Sequence, residues 1–243
     1  MRNGLLARAG MRLADVCERW FPDAFVFALA AIVIVFLGGL AIGVPAPKLA
    51  AEFGGGFWSL VNFTMQMAII IVGGFVVATS PPLARLTARL ASIPKSARGA
   101  VAFVAMFGML SALISWGLSL IFTGLLVREV VRRLEAKQVR VDYRAFGAAS
   151  YLGLGTVWAL GLSSSAALMQ ATPSAIPASL LPITGVIPLT QTIFTWQSMT
   201  MAAILIAIAV SVAYFSAPRE EDSRTFSDIG IRFDPPTAEE PVR

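Results

Sequence analysis

The feature that most constrains this chain is an uncharged apolar run from Gly99 to Val127, with positive charge on both sides. At about 29 residues it is longer than the roughly 20 that one membrane-spanning helix needs and too short for two such helices. Its basic flanks are Arg85, Arg89, Lys95 and Arg98 before it, then Arg128, Arg132, Arg133, Lys137, Arg140 and Arg144 after it. Because short basic loops remain on the cytoplasmic side, both ends of the run are predicted to lie there.

A segment that enters and leaves a membrane on the same side is a re-entrant hairpin. We predict such a helical hairpin over residues 99–133, with arms Gly99–Leu113 and Leu118–Arg133 and a tip at Ser115-Trp116-Gly117. Non-helical backbone at membrane depth persists only where it is buried in protein or lines a watery cavity. The tip is therefore a candidate binding site. One long tilted helix is the alternative structure for this run.

The composition is typical of polytopic membrane proteins. Of the 243 residues, 57% are hydrophobic and 14% are charged, with a mean hydropathy of +0.76, which leaves too few charges to cover a soluble surface. The lysines and arginines behind the net charge of +5 lie in loops between apolar runs, which indicates membrane topology rather than a nucleic-acid partner. Cys17 is the only cysteine and there is no histidine, which excludes disulfide frameworks and Cys/His metal sites.

The remaining apolar segments predict an all-α fold with about four spanning helices plus the hairpin. The predicted spans are residues 24–44, 57–79, 145–171 and 193–215. Residues 1–21 are predicted to form an amphipathic helix at the membrane surface, and residues 45–56 an external loop with Pro45 and Pro47. Residues 217–243 are polar and are predicted to be a disordered tail. Both termini would then be cytoplasmic in a protein of the inner membrane.

Two of these spans carry polar or small residues. Asn62 and Gln66 are four residues apart on one helix face, where they either hydrogen-bond a neighbouring helix or line a substrate path. Glycines and the run Ser163-Ser164-Ser165 disfavour a continuous helix over 145–171 and predict an unwound segment between Gly161 and Ala166. The alternative is a continuous helix whose small residues permit tight packing.

The apolar parts of the spans and hairpin contain no Asp, Glu, Lys, Arg or His, which argues against proton relay through a carboxylate or imidazole and against acid–base catalysis by such groups within this chain. Hydroxyls, amides and interrupted helix ends remain, and these bind anions at helix N-termini and small cations at free carbonyls. We expect no cofactor beyond a coupling ion, Na⁺ or H⁺, of which sodium suits carbonyl and hydroxyl ligands better. The candidate substrate-binding residues are Ser115, Trp116, Gly117, Ser163, Ser164, Ser165, Gln66 and Asn62.

The chain resembles the short-chain fatty acid transporter family at stretches spread over nearly its whole length. These are Phe21-Pro22-Asp23, Gly56-Phe57-Trp58, Met65–Val72, Trp116-Gly117, Arg128-Glu129-Val130 and Ala171-Thr172-Pro173. The resemblance implies uptake of anions such as acetoacetate and butyrate, in a superfamily whose members use paired re-entrant hairpins and an elevator-like transport domain. The chain departs from the family at Ser115, where an asparagine is expected, and over 159–165, a glycine-rich stretch in the family.

The resemblance also implies that the chain corresponds to the amino-terminal half of a family member, with the tail from Ala217 resembling the linker to the second half. It implies a secondary transporter rather than an enzyme. The expected partners are a short-chain carboxylate anion, the lipid bilayer and a second transporter half or another copy of the chain. The alternative is a non-transporting membrane fragment or accessory subunit that needs a missing second half.

Overall fold

The computed structural model describes residues 4–231, and within this range all regular secondary structure is helical. The residue contacts divide the described chain into two units, residues 12–70 and residues 4–11 with 71–231. Five segments are long and apolar enough to cross a membrane: Ala24–Ala41, Ala46–Ala78, Ala97–Ile114, Tyr143–Ala171 and Trp196–Ser216. The protein is therefore an all-α polytopic membrane protein, as its composition predicts.

The first two helices are of different kinds. Helix α1 (Leu5–Trp20) is amphipathic, with charged residues on one face and leucines on the other. Helix α2 (Ala24–Ala41) begins at Asp23, whose carboxylate accepts a hydrogen bond from the Phe25 N–H at 2.8 Å. No residue of α2 is buried, and its side chains are apolar all round, which suits a helix surrounded by lipid.

Helix α3 (Ala46–Ala78) overturns the predicted loop at 45–56. Pro47 lies in the first turn of α3, where its missing N–H would have no helical partner in any case. The three glycines at 54–56 remain helical because backbone groups in a lipid environment must be paired within the helix. At 33 residues, α3 is about 50 Å long and exceeds the roughly 30 Å hydrocarbon core. The charged Lys48 and Glu52 in its first two turns fit the part outside that core.

Helix α4 (Pro81–Leu90) lies between the predicted span 57–79 and the predicted hairpin, where the sequence predicted no helix. Two prolines occupy its first turn, and its exposed side chains include Arg85 and Arg89 while Thr87 is buried. Ser96 then caps helix α5 by accepting a hydrogen bond from the Gly99 N–H at 3.3 Å.

The apolar run at the centre of the chain folds as two helices, α5 (Ala97–Ile114) and α6 (Trp116–Glu135), joined through the single extended residue Ser115. Trp116 and Gly117, assigned to the tip from sequence, instead form the first turn of α6. The helices pack against each other along their length, and the Ser119 hydroxyl donates to the Gly108 carbonyl oxygen at 2.7 Å. The hydrophobic core of this unit lies here, around fully buried Val104, Met109, Leu126, Val130 and Phe146.

The next segment is an interrupted helix. It runs as α7 (Tyr143–Leu152), a π-helical turn (Gly153–Val157) and a 3₁₀ turn (Trp158–Leu160), then leaves helical geometry from Gly161 to Ser164. Helix α8 (Ser165–Ala171) follows, so the non-helical residues lie within the range predicted from sequence. Short turns and helix α9 (Leu181–Thr184) lead to helix α10 (Trp196–Ser216), which packs on α5.

Residues 217–231 are ordered and docked, which corrects the prediction of a disordered tail from 217. Buried Asp142, 3% exposed, accepts a hydrogen bond from the Arg224 N–H at 3.0 Å, and the Tyr143 N–H donates to the Arg224 carbonyl at 2.9 Å. Arg98 donates from Nε to the Ala217 carbonyl oxygen at 3.1 Å. The polar composition of this segment predicted disorder. Its backbone is nevertheless held by side chains that lie 82 or more residues earlier in the chain. The predicted tail beyond residue 231 lies outside the described residues.

Candidate functional site

The junction between the hairpin and the interrupted helix is the candidate functional site. The Leu162 N–H donates to the Leu113 carbonyl oxygen at 2.8 Å, and the Trp116 N–H donates to the Ser163 hydroxyl oxygen at 2.9 Å. Both bonds involve backbone groups at helix ends or outside helices, which lack hydrogen-bond partners within their own helix. The sequence-predicted groups Ser115–Gly117 and Ser163–Ser165 therefore come together in one place.

Glycines make this close approach possible. A Cβ added at Gly161 would lie 2.6 Å from the Leu113 carbonyl oxygen, and one at Gly74 of α3 would lie 2.7 Å from the Gly117 carbonyl oxygen. Both neighbours are backbone atoms, which cannot rotate away as a side chain could. The two glycines thus allow the interrupted helix and the end of α3 to pack directly on the backbone around the hairpin tip.

Three serine hydroxyls at the junction accept backbone hydrogen bonds. Ser115 Oγ accepts from the Leu118 N–H at 3.4 Å and Ser164 Oγ accepts from the Ala167 N–H at 3.3 Å, so each caps the helix that follows it. Ser163 accepts from Trp116. A hydroxyl that accepts such a bond still has its own proton to donate. Ser165, by contrast, is exposed in the first turn of α8.

Exposure differs among the site residues. Ser115, Trp116 and Ser163 are half-buried, while Gly117 and Ser164 are buried. A ligand that reached the junction would meet the half-buried hydroxyls and the indole first.

The other two sequence-predicted residues are Asn62 and Gln66. Both are exposed on α3 in the unit of residues 12–70, whereas the hairpin and the interrupted helix lie in the other unit. Exposed amides on one helix face fit either of the two roles considered from the sequence.

A buried hydroxyl cluster between α5, α6 and α7 was missed by sequence reasoning. Ser111 and Ser119 both donate to the Gly108 carbonyl oxygen, at 3.0 and 2.7 Å, and Thr123 lies 3.2 Å from the Ser150 carbonyl oxygen. A Cβ on Gly153 would lie 2.6 Å from the same Gly108 oxygen, so the π-helical turn begins against this cluster. The four-residue spacing of Ser119 and Thr123 on one helix face was the available signal.

The chemistry at this junction is limited to neutral hydrogen-bonding groups and helix ends. In the part of the chain that the structure describes, no group of three or more His, Cys, Asp or Glu side chains is placed to hold a metal ion. Interrupted helices that meet in this way form ligand sites in membrane transporters. The fold defines a polytopic membrane protein, and its interrupted helix is a feature that it shares with transporters.

Comparison with known proteins gives the family. The family model for short chain fatty acid transporters matches residues 5–234, so the chain belongs to the short-chain fatty acid transporter family, a family of transporters rather than enzymes. A Haemophilus influenzae protein named "Putative short-chain fatty acid transporter" is 29% identical over 95% of this chain and 52% of its own length. An Escherichia coli protein of the same name is 31% identical over 90% of this chain and 48% of its own length.

The comparisons also give the share of each relative that the chain covers. The chain spans about half the length of the curated relatives it matches. No solved structure is significantly similar to it.

Proposed function

We propose that this chain contributes the amino-terminal half of a secondary transporter for short-chain carboxylates, with the anion bound where the hairpin meets the interrupted helix. The observation that carries the proposal is the set of hydroxyls at Ser115 and Ser163. Each accepts a hydrogen bond from a backbone N–H, which leaves its own proton to donate to an anion. The N-terminal turn of α6 adds a favourable potential for negative charge at the same point.

The site also has an apolar side that suits a short hydrocarbon tail. The half-buried indole of Trp116 lies in the first turn of α6, directly after Ser115. Each methylene that it covers would contribute about 0.8 kcal/mol to binding, so the two extra methylenes of butyrate over acetate are worth about 1.6 kcal/mol. Carboxylate at the serines and hydrocarbon against the indole is the orientation that uses both surfaces.

Binding to the purified protein, assembled with its second half, tests the proposal. Ser115→Ala should weaken acetate and butyrate binding equally, by about tenfold or more, because a hydrogen bond to a charged group contributes about 1.5–3 kcal/mol. Trp116→Ala should weaken butyrate binding more than acetate binding. The matched control is Ser165→Ala, which alters an exposed serine of the run 163–165 and should leave both affinities unchanged. Wild-type affinity in folded Ser115→Ala and Trp116→Ala proteins would refute the site.

We further propose that α5 and α6 form a re-entrant hairpin whose two ends face the cytoplasm, as do both chain termini. The basic residues before α5 and after α6 support this orientation. In a Cys17→Ser background, cysteines at Lys95 and Lys137 should react with an impermeant thiol reagent only from inside. A cysteine at Ile42, 82% exposed after α2, should react only from outside and serves as the control. Labelling of position 95 or 137 from outside would disprove the hairpin orientation.

Coupling to sodium rather than to protons is the third part of the proposal. The junction and the buried cluster at Ser111, Ser119 and Thr123 supply hydroxyl and carbonyl oxygens, which are ligands for a hard cation and do not titrate near neutral pH. Carboxylate uptake into vesicles should therefore require a sodium gradient. Uptake driven by a pH gradient alone, in sodium-free buffer, would rule out sodium coupling.

A further inference from the structure

The π-helical turn Gly153–Val157 holds one residue more than an α-helical turn would. Its closing hydrogen bond runs from the Trp158 N–H to the Gly153 carbonyl oxygen, five residues back, whereas an α-helix bonds four residues back. The residues after the turn are therefore displaced by one position from the register of an uninterrupted helix. Such turns are rare and frequently lie at functional sites.

Two glycine contacts with α5 enclose this turn. A Cβ on Gly153 would lie 2.6 Å from the Gly108 carbonyl oxygen, and a Cβ on Gly161 would lie 2.6 Å from the Leu113 carbonyl oxygen. Because the opposing atoms are backbone, neither contact leaves room for a side chain. The register of the segment between the contacts decides which residue reaches the second one, and the extra residue of the π-helical turn brings a glycine there.

We propose that the π-helical turn is the hinge that opens and closes the candidate functional site, an inference that rests on the proposed function. Conversion of the turn to α-helix would advance the residues after it by about 1.5 Å and rotate them by about 100°. Leu160 would then take the place of Gly161 against α5, where no Cβ fits. Ser163 would turn away from the Trp116 N–H, so the π-helical state closes the junction and the α-helical state opens it.

The segment around the turn can move in this way. The 3₁₀ turn Trp158–Leu160 follows without a break, and the Gly161 N–H donates to the Trp158 carbonyl oxygen at 3.1 Å, so a shift of the helix is passed on to the junction. Within the turn, Gly155 is exposed, and a Cβ there would meet no atom within 4 Å. The backbone can therefore change its hydrogen bonding at this point without a clash.

The two states differ in the side chain that they bury. Val157 is fully buried in the π-helical state, and in the α-helical state Thr156, which has the same branched shape, would take its place. A buried hydroxyl needs a hydrogen-bond partner, which makes the α-helical state the less stable of the two. The junction is therefore closed in most molecules and opens as a minor state.

Deletion of Gly155 distinguishes a hinge from a purely structural turn. The deletion removes the extra residue, so the turn becomes α-helical while Ser163 keeps its place. The full chain, purified in detergent, should melt within about 2 °C of wild type. Peptides that contain Trp116 should exchange amide hydrogen for deuterium about tenfold more slowly, because the opening is lost. Assembled with its second half, the variant should take up butyrate into vesicles about tenfold more slowly, because the site no longer opens.

Deletion of Gly147, an exposed glycine in the regular helix α7, is the matched control. Because α7 has no extra residue, this deletion rotates the buried Phe146 by about 100° out of the core and should lower the melting temperature by about 5 °C or more. Equal destabilisation by the two deletions would overturn the hinge, since the π-helical turn would then contain no spare residue.

Two other results would also overturn the hinge. These are unchanged or faster deuterium exchange at Trp116 in the Gly155 deletion, and butyrate uptake by that variant at the wild-type rate. Absence of butyrate uptake by the wild-type protein would instead count against the proposed function. The exchange measurement needs no substrate, so it would still decide whether the turn opens the junction.

Discussion

Ser163 is the side chain through which the interrupted helix meets the first turn of α6. Its hydroxyl oxygen is the acceptor for the Trp116 N–H, one of the amides that a helix start leaves without a partner in the helix itself. The three serines 163–165 are adjacent in sequence, yet they have three different environments: Ser163 bonds across to the hairpin, Ser164 caps α8, and Ser165 is exposed. Sequence alone identified the group but could not distinguish its members, because the distinction depends on which hydroxyl faces the hairpin.

Ser163→Ala should destabilise the protein, because the half-buried Trp116 amide loses its acceptor. An unpaired buried donor costs about 1–3 kcal/mol, and partial exposure of Trp116 places the expected loss near 1 kcal/mol. For a chain of this size that corresponds to a fall of about 2–4 °C in melting temperature. Differential scanning fluorimetry in detergent provides the measurement. Ser165→Ala should melt like wild type, and equal effects of both substitutions would exclude a special role for Ser163.

Glu135 makes an unfavourable contribution to stability at neutral pH. Desolvation by burial raises the pKa of this carboxyl above its usual 4.5, and its Oε1 is buried without a hydrogen-bond partner among the described residues. It also lies at the C-terminus of α6, where negative charge opposes the helix dipole. The charged form is therefore disfavoured in the folded state, and folding becomes less favourable as the pH rises from the unfolded-state pKa through the folded-state value.

Glu135→Gln should raise the melting temperature at pH 7–8 and have no effect near pH 4, where the wild-type carboxyl is already neutral. Glu129→Gln gives the matched comparison on the same helix. Glu129 pairs with Arg132 and Arg133 at 2.7 Å each, so its loss should lower stability at neutral pH. A stabilisation by Glu135→Gln that is equally large at pH 4 would contradict the electrostatic cause.

At the level of elements, the division of the apolar run into two helices and the interruption of the later helix were predictable, while α3 was not. The run that becomes α5 and α6 is too long for one span and is interrupted at Ser115-Trp116-Gly117, and the density of glycine and serine marks the later interruption, so both signals are local in the sequence. Pro47 also gave a local signal, but a proline is compatible with two structures, the end of one element or the first turn of the next. The choice depends on whether the residues after the proline continue as a helix, which the proline itself does not show.

Gly161→Ala tests the contact between the interrupted helix and α5. The added Cβ would lie 2.6 Å from the Leu113 carbonyl oxygen and 2.8 Å from that of Ala112, so the two segments would have to separate. A loss of about 1–3 kcal/mol is expected, as for other overpacked substitutions. Gly155→Ala, in the π-helical turn, meets no atom within 4 Å and should be tolerated. Thermal unfolding of the two variants should therefore differ, and equal melting temperatures would contradict the close approach.

At the level of the whole molecule, the docked tail depends on contacts that no local pattern shows. Asp142 caps α7 by accepting hydrogen bonds from the Arg144 and Ala145 N–H groups, and it also accepts from Arg224 in the tail. The sequence places these partners 82 residues apart along the chain. A composition-based prediction counts the polar residues of the tail but not the buried carboxylate that receives it.

Asp142→Ala should release the tail. The substitution removes a helix cap, typically worth about 1 kcal/mol, together with the acceptor for the Arg224 N–H, so cleavage by trypsin after Arg219 and Arg224 should become about fivefold faster or more. Glu221→Ala, an exposed tail residue, is the control and should leave the cleavage rate unchanged. Rapid cleavage of the wild-type tail would show that it is not docked in solution.

The lengths of α2 and α3 have a consequence for the surrounding membrane. Helix α2, with 18 residues, covers about 27 Å, whereas α3 covers about 50 Å. Even at a tilt of about 40°, the upper end of the usual range, α3 still projects about 38 Å along the bilayer normal. A change in bilayer thickness therefore alters only how far α3 extends beyond the hydrocarbon core. Helix α2 is too short to extend beyond it. Hydrophobic mismatch is set by the shorter helix, and lipids with long acyl chains must thin locally around α2.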